Sequence, residues 1–168
     1  MTRNKGLSTV VASLLLVLLT IVLVGIVWTV VTNLTEESLD RTSSCLNTFE
    51  KVTLGNEYSC YNLTTKEFQF SVNIEDIDVE KVLVGISAEG TTKSVEIKAE
   101  NATSNILRSY KGNYGGNFAL PEKNAGLTYV YNMTRAGFSG APKSIRIVPV
   151  INGNQCDESD NLLEIFNC

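Results

Sequence analysis

One uninterrupted apolar run near the start of the chain constrains this protein more than any other feature of its sequence. Residues 7–32 contain neither a charged residue nor a proline. As an α-helix, these 26 residues extend about 39 Å, which exceeds the roughly 30 Å hydrocarbon core of a bilayer. The run therefore predicts a membrane-spanning helix. Ser13, Thr20, Gly25 and Thr29 are tolerated within it, because hydroxyls can bond back to the helix and glycine packs closely.

The charges on either side of this run predict its orientation. The cations Arg3 and Lys5 precede it, and the first acidic residues, Glu36, Glu37 and Asp40, follow it. By the positive-inside rule, the N-terminus stays in the cytoplasm and the rest of the chain lies outside. A cleaved secretory signal has a shorter apolar stretch and a small-x-small cleavage site behind it. We therefore expect the helix to remain in the mature protein.

The residues at the start of the run resemble a known family. Lys5-Gly6, then Leu7-Ser8-Thr9-Val10-Val11-Ala12 and a leucine- and valine-rich helix, is similar to the N-terminus of archaeal type IV pilin-like proteins, whose precursors carry a class III signal peptide. The resemblance covers residues 3–32. It implies that a prepilin peptidase cuts between Gly6 and Leu7. Many bacterial pilins carry a glutamate where this chain has Val11, and archaeal members commonly lack it.

The resemblance also implies a function and a set of partners. The chain would be a structural subunit of a cell-surface type IV pilus-like filament, for adhesion or surface attachment. Its partners would be the membrane, the prepilin peptidase, a pilus assembly platform with its ATPase, and copies of itself. It would lie in the cell membrane before assembly and in a surface filament afterwards. The alternative is a single-pass anchored binding or adhesion module, or a minor pilin that does not build the filament.

Removal of the leader has a physical rationale in this interpretation. Outside the membrane, an all-apolar helix can be covered only by its own copies, and a head-to-tail stack that does not close forms an open filament. Arg3 and Lys5 would be buried unpaired in that stack, at a cost of several kcal/mol each. Cleavage leaves 12 basic residues (14 less these two) against 18 acidic ones, which changes the formal charge from −4 to −6.

Beyond the helix, the hydrophobic pattern changes to a period of two. Alternating or dense apolar runs predict seven or eight short strands, with a hairpin across Gly55-Asn56 and a connecting linker over residues 40–48. Pro149 predicts that its strand is an edge strand or carries a bulge. The predicted strands cover residues 49–54, 57–62, 68–74, 79–87, 95–99, 127–132, 144–151 and 162–167.

These patterns together predict an α+β fold: a long N-terminal apolar α-helix followed by an antiparallel β-sandwich of the Ig-like or Greek-key type. The predicted organisation is a basic leader over residues 1–6, the membrane or filament-core helix over 7–40, and an extracytoplasmic β-sandwich over 41–168.

Four cysteines, Cys45, Cys60, Cys156 and Cys168, all follow the apolar run. An even number on the outer side of a membrane predicts two disulfides. Proximity in sequence favours Cys45–Cys60 and Cys156–Cys168. Pairing between the two ends is nearly as plausible, because it closes long loops and removes more unfolded-state entropy.

Four sequons provide possible N-glycosylation sites at Asn33, Asn62, Asn101 and Asn132. Asn101 and Asn132 are the better candidates, because they lie near loop boundaries. A glycine-rich stretch over residues 111–118 predicts a long loop. It is either a plain connection, which we favour, or a contact loop with exposed aromatic residues.

Composition argues against several other functions. The chain has no histidine, which removes the commonest general base and metal ligand, and it carries no nucleophile-elbow or phosphate-loop motif. Acidic clusters at Glu75, Asp76 and Asp78 and at residues 157–160 match no calcium-binding loop and are typical of solvated turns. We expect no enzyme activity, cofactor or metal. The net charge of −4 argues against nucleic-acid binding.

Overall fold

The computed structural model describes residues 9–46, 48 and 50–168, and within the helix it does not describe the side chains of residues 9 and 36–44. The chain divides after Asp40 into two compact units, Met1–Asp40 and Arg41–Cys168. The two units are considered separately below.

A single helix, α1, runs from Thr9 to Cys45, a length of 37 residues. It continues past the apolar run because residues 26–45 contain neither glycine nor proline, the two residues that most disfavour a helix interior. The predicted linker over residues 40–48 was therefore wrong for residues 40–45, which belong to the helix.

The described residues of the second unit form thirteen short strands and one 3-10 turn, Asn56–Tyr58. The strands are β1 Val52–Leu54, β2 Cys60–Asn62, β3 Glu67–Ile74, β4 Lys81–Ala88, β5 Thr91–Lys98, β6 Ala102–Thr103, β7 Leu107–Ser109, β8 Asn117–Phe118, β9 Ala125–Asn132, β10 Ser144–Ile151, β11 Asn154–Gln155, β12 Asp160–Leu162 and β13 Phe166–Asn167.

The strands form two main sheets that are almost entirely antiparallel. One sheet has the order β13-β2-β3-β9-β7, with β1 also pairing with β3. The other has the order β11-β10-β4-β5, with β12 also pairing with β10, and β6 and β8 form a small third sheet. Only β13 and β2 pair in parallel. This architecture confirms the predicted fold class of an apolar helix followed by a β-domain of two sheets.

Both main sheets contribute to one hydrophobic core. Phe68, Phe70 and Tyr129 from the first sheet are fully buried, as are Ile86 and Ile147 from the second. In β3 and β4, residues at alternate positions point inward, as the period-two pattern predicts. The β-domain therefore buries a core of its own.

The predicted hairpin across Gly55-Asn56 was wrong. Strands β1 and β2 do not pair with each other, since both pair antiparallel with the same partner, β3. β1 lies opposite residues 72–74 and β2 lies opposite residues 67–69, so the two strands follow one another along one edge of β3. The 3-10 turn Asn56–Tyr58 interrupts this edge and does not reverse the chain.

The prediction that Pro149 marks an edge strand was also wrong. Strand β10 is central, with β4 on one side and the short strands β11 and β12 on the other. The Pro149 carbonyl accepts a bond from the Cys156 amide, on the side away from β4. Because a strand residue directs its N–H and C=O to the same neighbour, the missing N–H of proline costs no bond to β4. Pro149 lies opposite the gap between β11 and β12, where no partner strand requires its N–H.

Candidate functional site

The most unusual surface of this protein lies on α1. We call Val10–Thr35 the apolar span, because this 26-residue segment is long and apolar enough to cross a membrane. None of its side chains is buried within the chain. Eighteen large apolar side chains are exposed along the apolar span, at residues 10, 11, 14–19, 21–24, 26–28, 30, 31 and 34.

These exposed residues surround the helix on all sides. An amphipathic surface helix has an apolar stripe on one face and polar residues opposite, whereas a helix that is apolar all round requires an apolar environment on every side. Full burial of one such side chain stabilises by roughly 1.5–3 kcal/mol, so covering the whole span is worth tens of kcal/mol. The span is therefore a large apolar surface without a buried side chain.

The hydroxyl groups of the apolar span are already hydrogen-bonded within the helix. Each donates to a backbone carbonyl three or four residues earlier: Ser13 to Val10 (2.9 Å), Thr20 to Val17 (2.8 Å), Thr29 to Gly25 (2.9 Å), Thr32 to Trp28 (3.0 Å) and Thr35 to Val31 (2.8 Å). An unsatisfied polar group in an apolar medium costs several kcal/mol. These hydroxyls therefore enter lipid or a helix bundle without that penalty.

Trp28 lies near the C-terminal end of the apolar span with 70% of its surface exposed. An indole at such a position suits a membrane–water interface, where its ring is partly apolar and its N–H can reach water. The leader cations Arg3 and Lys5 and the predicted cleavage residues Gly6 and Leu7 lie outside the described residues.

The disulfides of the β-domain differ from the favoured sequential pairing, which was wrong. Cys45 pairs with Cys156 and Cys60 pairs with Cys168, at Cα–Cα distances of 5.4 Å and 5.0 Å. The pairs are separated by 111 and 108 residues, which is the long-loop alternative. Cys156 lies beside Pro149 of β10, and Cys168 follows β13, which pairs with β2 at Cys60. Strand pairing, not distance along the chain, brings these cysteines together.

Hydrogen bonds hold the segment after Cys45 to the segment after Cys156. The Thr48 carbonyl accepts a bond from the buried Ser159 hydroxyl at 3.4 Å. The buried Ser159 hydroxyl donates to the Val52 carbonyl at 2.6 Å. These bonds and the Cys45–Cys156 disulfide tie the entry of the β-domain to its C-terminal segment.

The four sequons have different environments. The Asn62 side-chain oxygen accepts bonds from the backbone amides of Thr64 and Thr65, and the Asn132 side-chain oxygen accepts one from Arg135, so both residues cap turns and are half-buried. Asn101 is exposed between β5 and β6, and Asn33 is exposed on α1. All four remain predictions as glycosylation sites.

The glycine-rich loop is held against the domain by its aromatic residues. The guanidinium groups of Arg135 and Arg108 lie over the ring of Tyr114, 4.6 Å and 5.2 Å from its centroid, and the Tyr114 hydroxyl donates to Glu67 at 2.7 Å. Burial, and next the bond to Glu67, raise the pKa of Tyr114. Phe118 is buried in the core. The alternative of a contact loop with exposed aromatic residues was therefore wrong.

Several carboxylates of the acidic clusters form ion pairs or hydrogen bonds with other parts of the β-domain. Glu75 pairs with Lys51, and Asp78 pairs with Lys123 at 2.8 Å. An Asp160 carboxylate oxygen accepts the Leu54 amide at 2.8 Å. In the part of the chain that the structure describes, no group of three or more acidic or cysteine residues is arranged to hold a metal ion. Comparison with protein-family models, curated proteins and solved structures finds no match for this chain.

Proposed function

We propose that this protein is a structural subunit of a type IV pilus-like surface filament, held together by packing between copies of α1. One observation carries the proposal: the apolar span exposes large apolar side chains on every side, and none of its residues is buried. Lipid covers such a helix in a membrane. Outside a membrane, copies of the same helix are the partners that the chain itself supplies.

The hydroxyl bonds within α1 support this proposal. Helix association in an apolar environment depends on close packing, because there is no water to exclude. Thr20 and Thr29 present their methyl groups while their hydroxyls bond inward. Apart from its chain neighbours and the surrounding helix backbone, Gly25 has no atom within 4 Å of the position where a Cβ would lie. A neighbouring helix can approach closely at this point.

The two disulfides support placement outside the cytoplasm. All four cysteines are paired, and disulfides persist in oxidising compartments. The β-domain then lies on the outer side and α1 supplies the membrane or filament segment. In this proposal a prepilin peptidase cuts between Gly6 and Leu7, and an assembly platform with its ATPase extracts the helix from the membrane.

A gene deletion with complementation tests the proposal. Electron microscopy of cells lacking the gene should show no filaments of this type, and the wild-type gene should restore them. Val22→Asp places a charge at the centre of the apolar span and should abolish filaments while the protein remains in the membrane fraction. Val22→Leu is the matched control and should restore filaments. Filaments that persist unchanged in the deletion strain would contradict the proposal.

The second candidate is a single-pass anchored adhesion module. The exposed Trp28 favours it, because an interfacial indole serves a helix that stays in the membrane. An anchored module would remain in the membrane fraction of wild-type cells and would be missing from sheared surface filaments. Fractionation after shearing therefore separates the two candidates.

A further inference from the structure

The two disulfide pairs alternate along the chain, and neither candidate function explains this arrangement. The first cysteine, Cys45, pairs with the third, Cys156, and the second, Cys60, pairs with the fourth, Cys168. The two covalent loops are therefore interleaved. They divide the chain behind α1 into three segments, residues 46–59, 61–155 and 157–167.

A single backbone cut in any of these segments leaves the pieces covalently joined. After a cut in residues 46–59, the Cys45–Cys156 bond joins the pieces, and after a cut in residues 157–167 the Cys60–Cys168 bond joins them. After a cut in residues 61–155, both bonds cross the break. The N-terminal piece always contains α1, so the domain stays attached to its helix.

The other two pairings of four cysteines give less protection. Sequential pairing would free the C-terminal piece after one cut in residues 61–155. Nested pairing, with Cys45 joined to Cys168 and Cys60 to Cys156, would free the central piece after one cut in each flanking segment. With the observed pairs, all three pieces remain joined even then.

Exposed turns place accessible peptide bonds in the three segments. Glu89 and Gly90 form the tip between β4 and β5, in the central segment, and both are exposed. Asn56 and Glu57 are exposed in the first segment, and Leu163 is exposed in the last. Exposed loop tips are where proteases cut folded domains first.

We propose that the interleaved disulfides retain the β-domain on α1 after a proteolytic cut behind Cys45, so that release of the domain by such a cut also requires disulfide reduction. A fragment that leaves the cell surface diffuses away and is too dilute to bind again. A tethered fragment stays at an effective concentration on the order of millimolar and can re-form its strand pairs. The device applies whether α1 lies in a membrane or in a filament.

Release of a cut piece requires thiol–disulfide exchange with a reductant. A dithiol reductant attacks one sulfur of the disulfide as a thiolate and is itself oxidised to a disulfide, while the two protein sulfurs gain two electrons and two protons and become thiols. After a cut in a flanking segment, reduction of one bond suffices. After a cut in the central segment, both bonds must be reduced.

The test uses the full chain in detergent micelles with a recognition sequence for a specific protease inserted between Glu89 and Gly90. Circular dichroism of the uncut variant should match that of the wild type. After cleavage, denaturing electrophoresis without reductant should show one species, and with reductant two. Complete separation of the two pieces without reductant would overturn the proposal.

A second variant distinguishes interleaved from nested pairing. It carries protease sequences at Asn56-Glu57 and after Leu163, and both are cut. Without reductant all three pieces should migrate as one species. The matched control adds Cys60→Ser and Cys168→Ser, and here the C-terminal peptide should leave without reductant. Loss of the central piece from the variant that retains all four cysteines would contradict the observed pairing and the retention role together.

Discussion

The helix α1 and the β-domain differ in where their apolar side chains find contacts. In the β-domain, residues such as Phe70 and Ile147 are fully buried against the same chain. In α1, residues such as Leu19 and Val22 are about 60% exposed, at 61% and 59%. The polar groups differ as well, since Thr20 bonds within its own helix whereas Ser159 bonds across 107 residues to Val52. The comparison indicates that the domain supplies its own core, whereas the apolar side chains of the helix stay exposed; their cover by lipid or by copies of the helix is what we propose.

The largest expected effect comes from removing the helix. A fragment beginning at Arg41 keeps all four cysteines and the whole shared core, so we expect a water-soluble monomer with the β-sheet signal of the full chain in circular dichroism. The full chain should require detergent or lipid. Analytical ultracentrifugation of both proteins tests this difference. An unfolded or aggregated fragment would show that the domain depends on α1.

Truncating one large apolar side chain in each region sharpens the comparison. Phe70→Ala removes a fully buried ring from the core and should lower the free energy of unfolding of the β-domain by about 3–5 kcal/mol. Leu19→Ala, in the apolar span, should leave it unchanged. Chemical denaturation of both variants in the same detergent measures the difference. Equal losses would mean that α1 packs into the domain core.

Alkaline pH should weaken the β-domain through Tyr129. This tyrosine donates a hydrogen bond to the Ala119 carbonyl at 2.6 Å, and burial raises its pKa well above the ordinary value of 10.0. The unfolded chain therefore loses this proton first as pH rises, and stability that is complete below pH 10 declines above it, by at most about 1.4 kcal/mol per pH unit from this group.

Tyr129→Phe provides the control for this pH dependence. The variant loses the bond to Ala119 and so starts from a lower stability at neutral pH, but its stability should fall less steeply above pH 10. Part of the slope should remain, because burial also raises the pKa of Tyr61 and Tyr131. If stability falls with the same slope above pH 10 in the variant and the wild type, the Tyr129 hydroxyl would have to be exposed to water in the folded domain.

The smallest expected effect concerns hydroxyl groups. Ser159→Ala leaves the buried Val52 carbonyl without this donor and should lower the free energy of unfolding by about 1–2 kcal/mol. Thr20→Val also removes one hydrogen-bonded hydroxyl, in this case from α1, and should leave the stability of the domain unchanged. Thermal unfolding of the two variants side by side measures both effects.

Local patterns in the sequence predicted a large part of this structure. The absence of charge and proline over residues 7–32 predicted the helix, and the period-two alternation predicted β3 to within one residue. Both are properties of neighbouring residues. The predicted hairpin at Gly55-Asn56 was wrong because β1 and β2 both pair with β3, a strand that follows them in the chain, and not with each other.

Features that depend on distant pairing could not be read from the sequence. Pro149 fits a central strand only because the neighbouring edge is divided into β11 and β12. The disulfide pairs follow from strand order, which places Cys168 beside Cys60 at the edge of the first sheet. The contacts of Tyr114 with Glu67 and Arg135 join three parts of the chain, so the residues next to Tyr114 gave no indication that its side chain would be held against the domain.

The mass and N-terminal sequence of the protein taken from purified surface filaments test the central claim most directly. If α1 is the assembly element, the filaments contain this chain and its first residue is Leu7, since Arg3 and Lys5 cannot be buried unpaired in a bundle of apolar helices. Filaments whose subunits retain Arg3 and Lys5 would contradict this account.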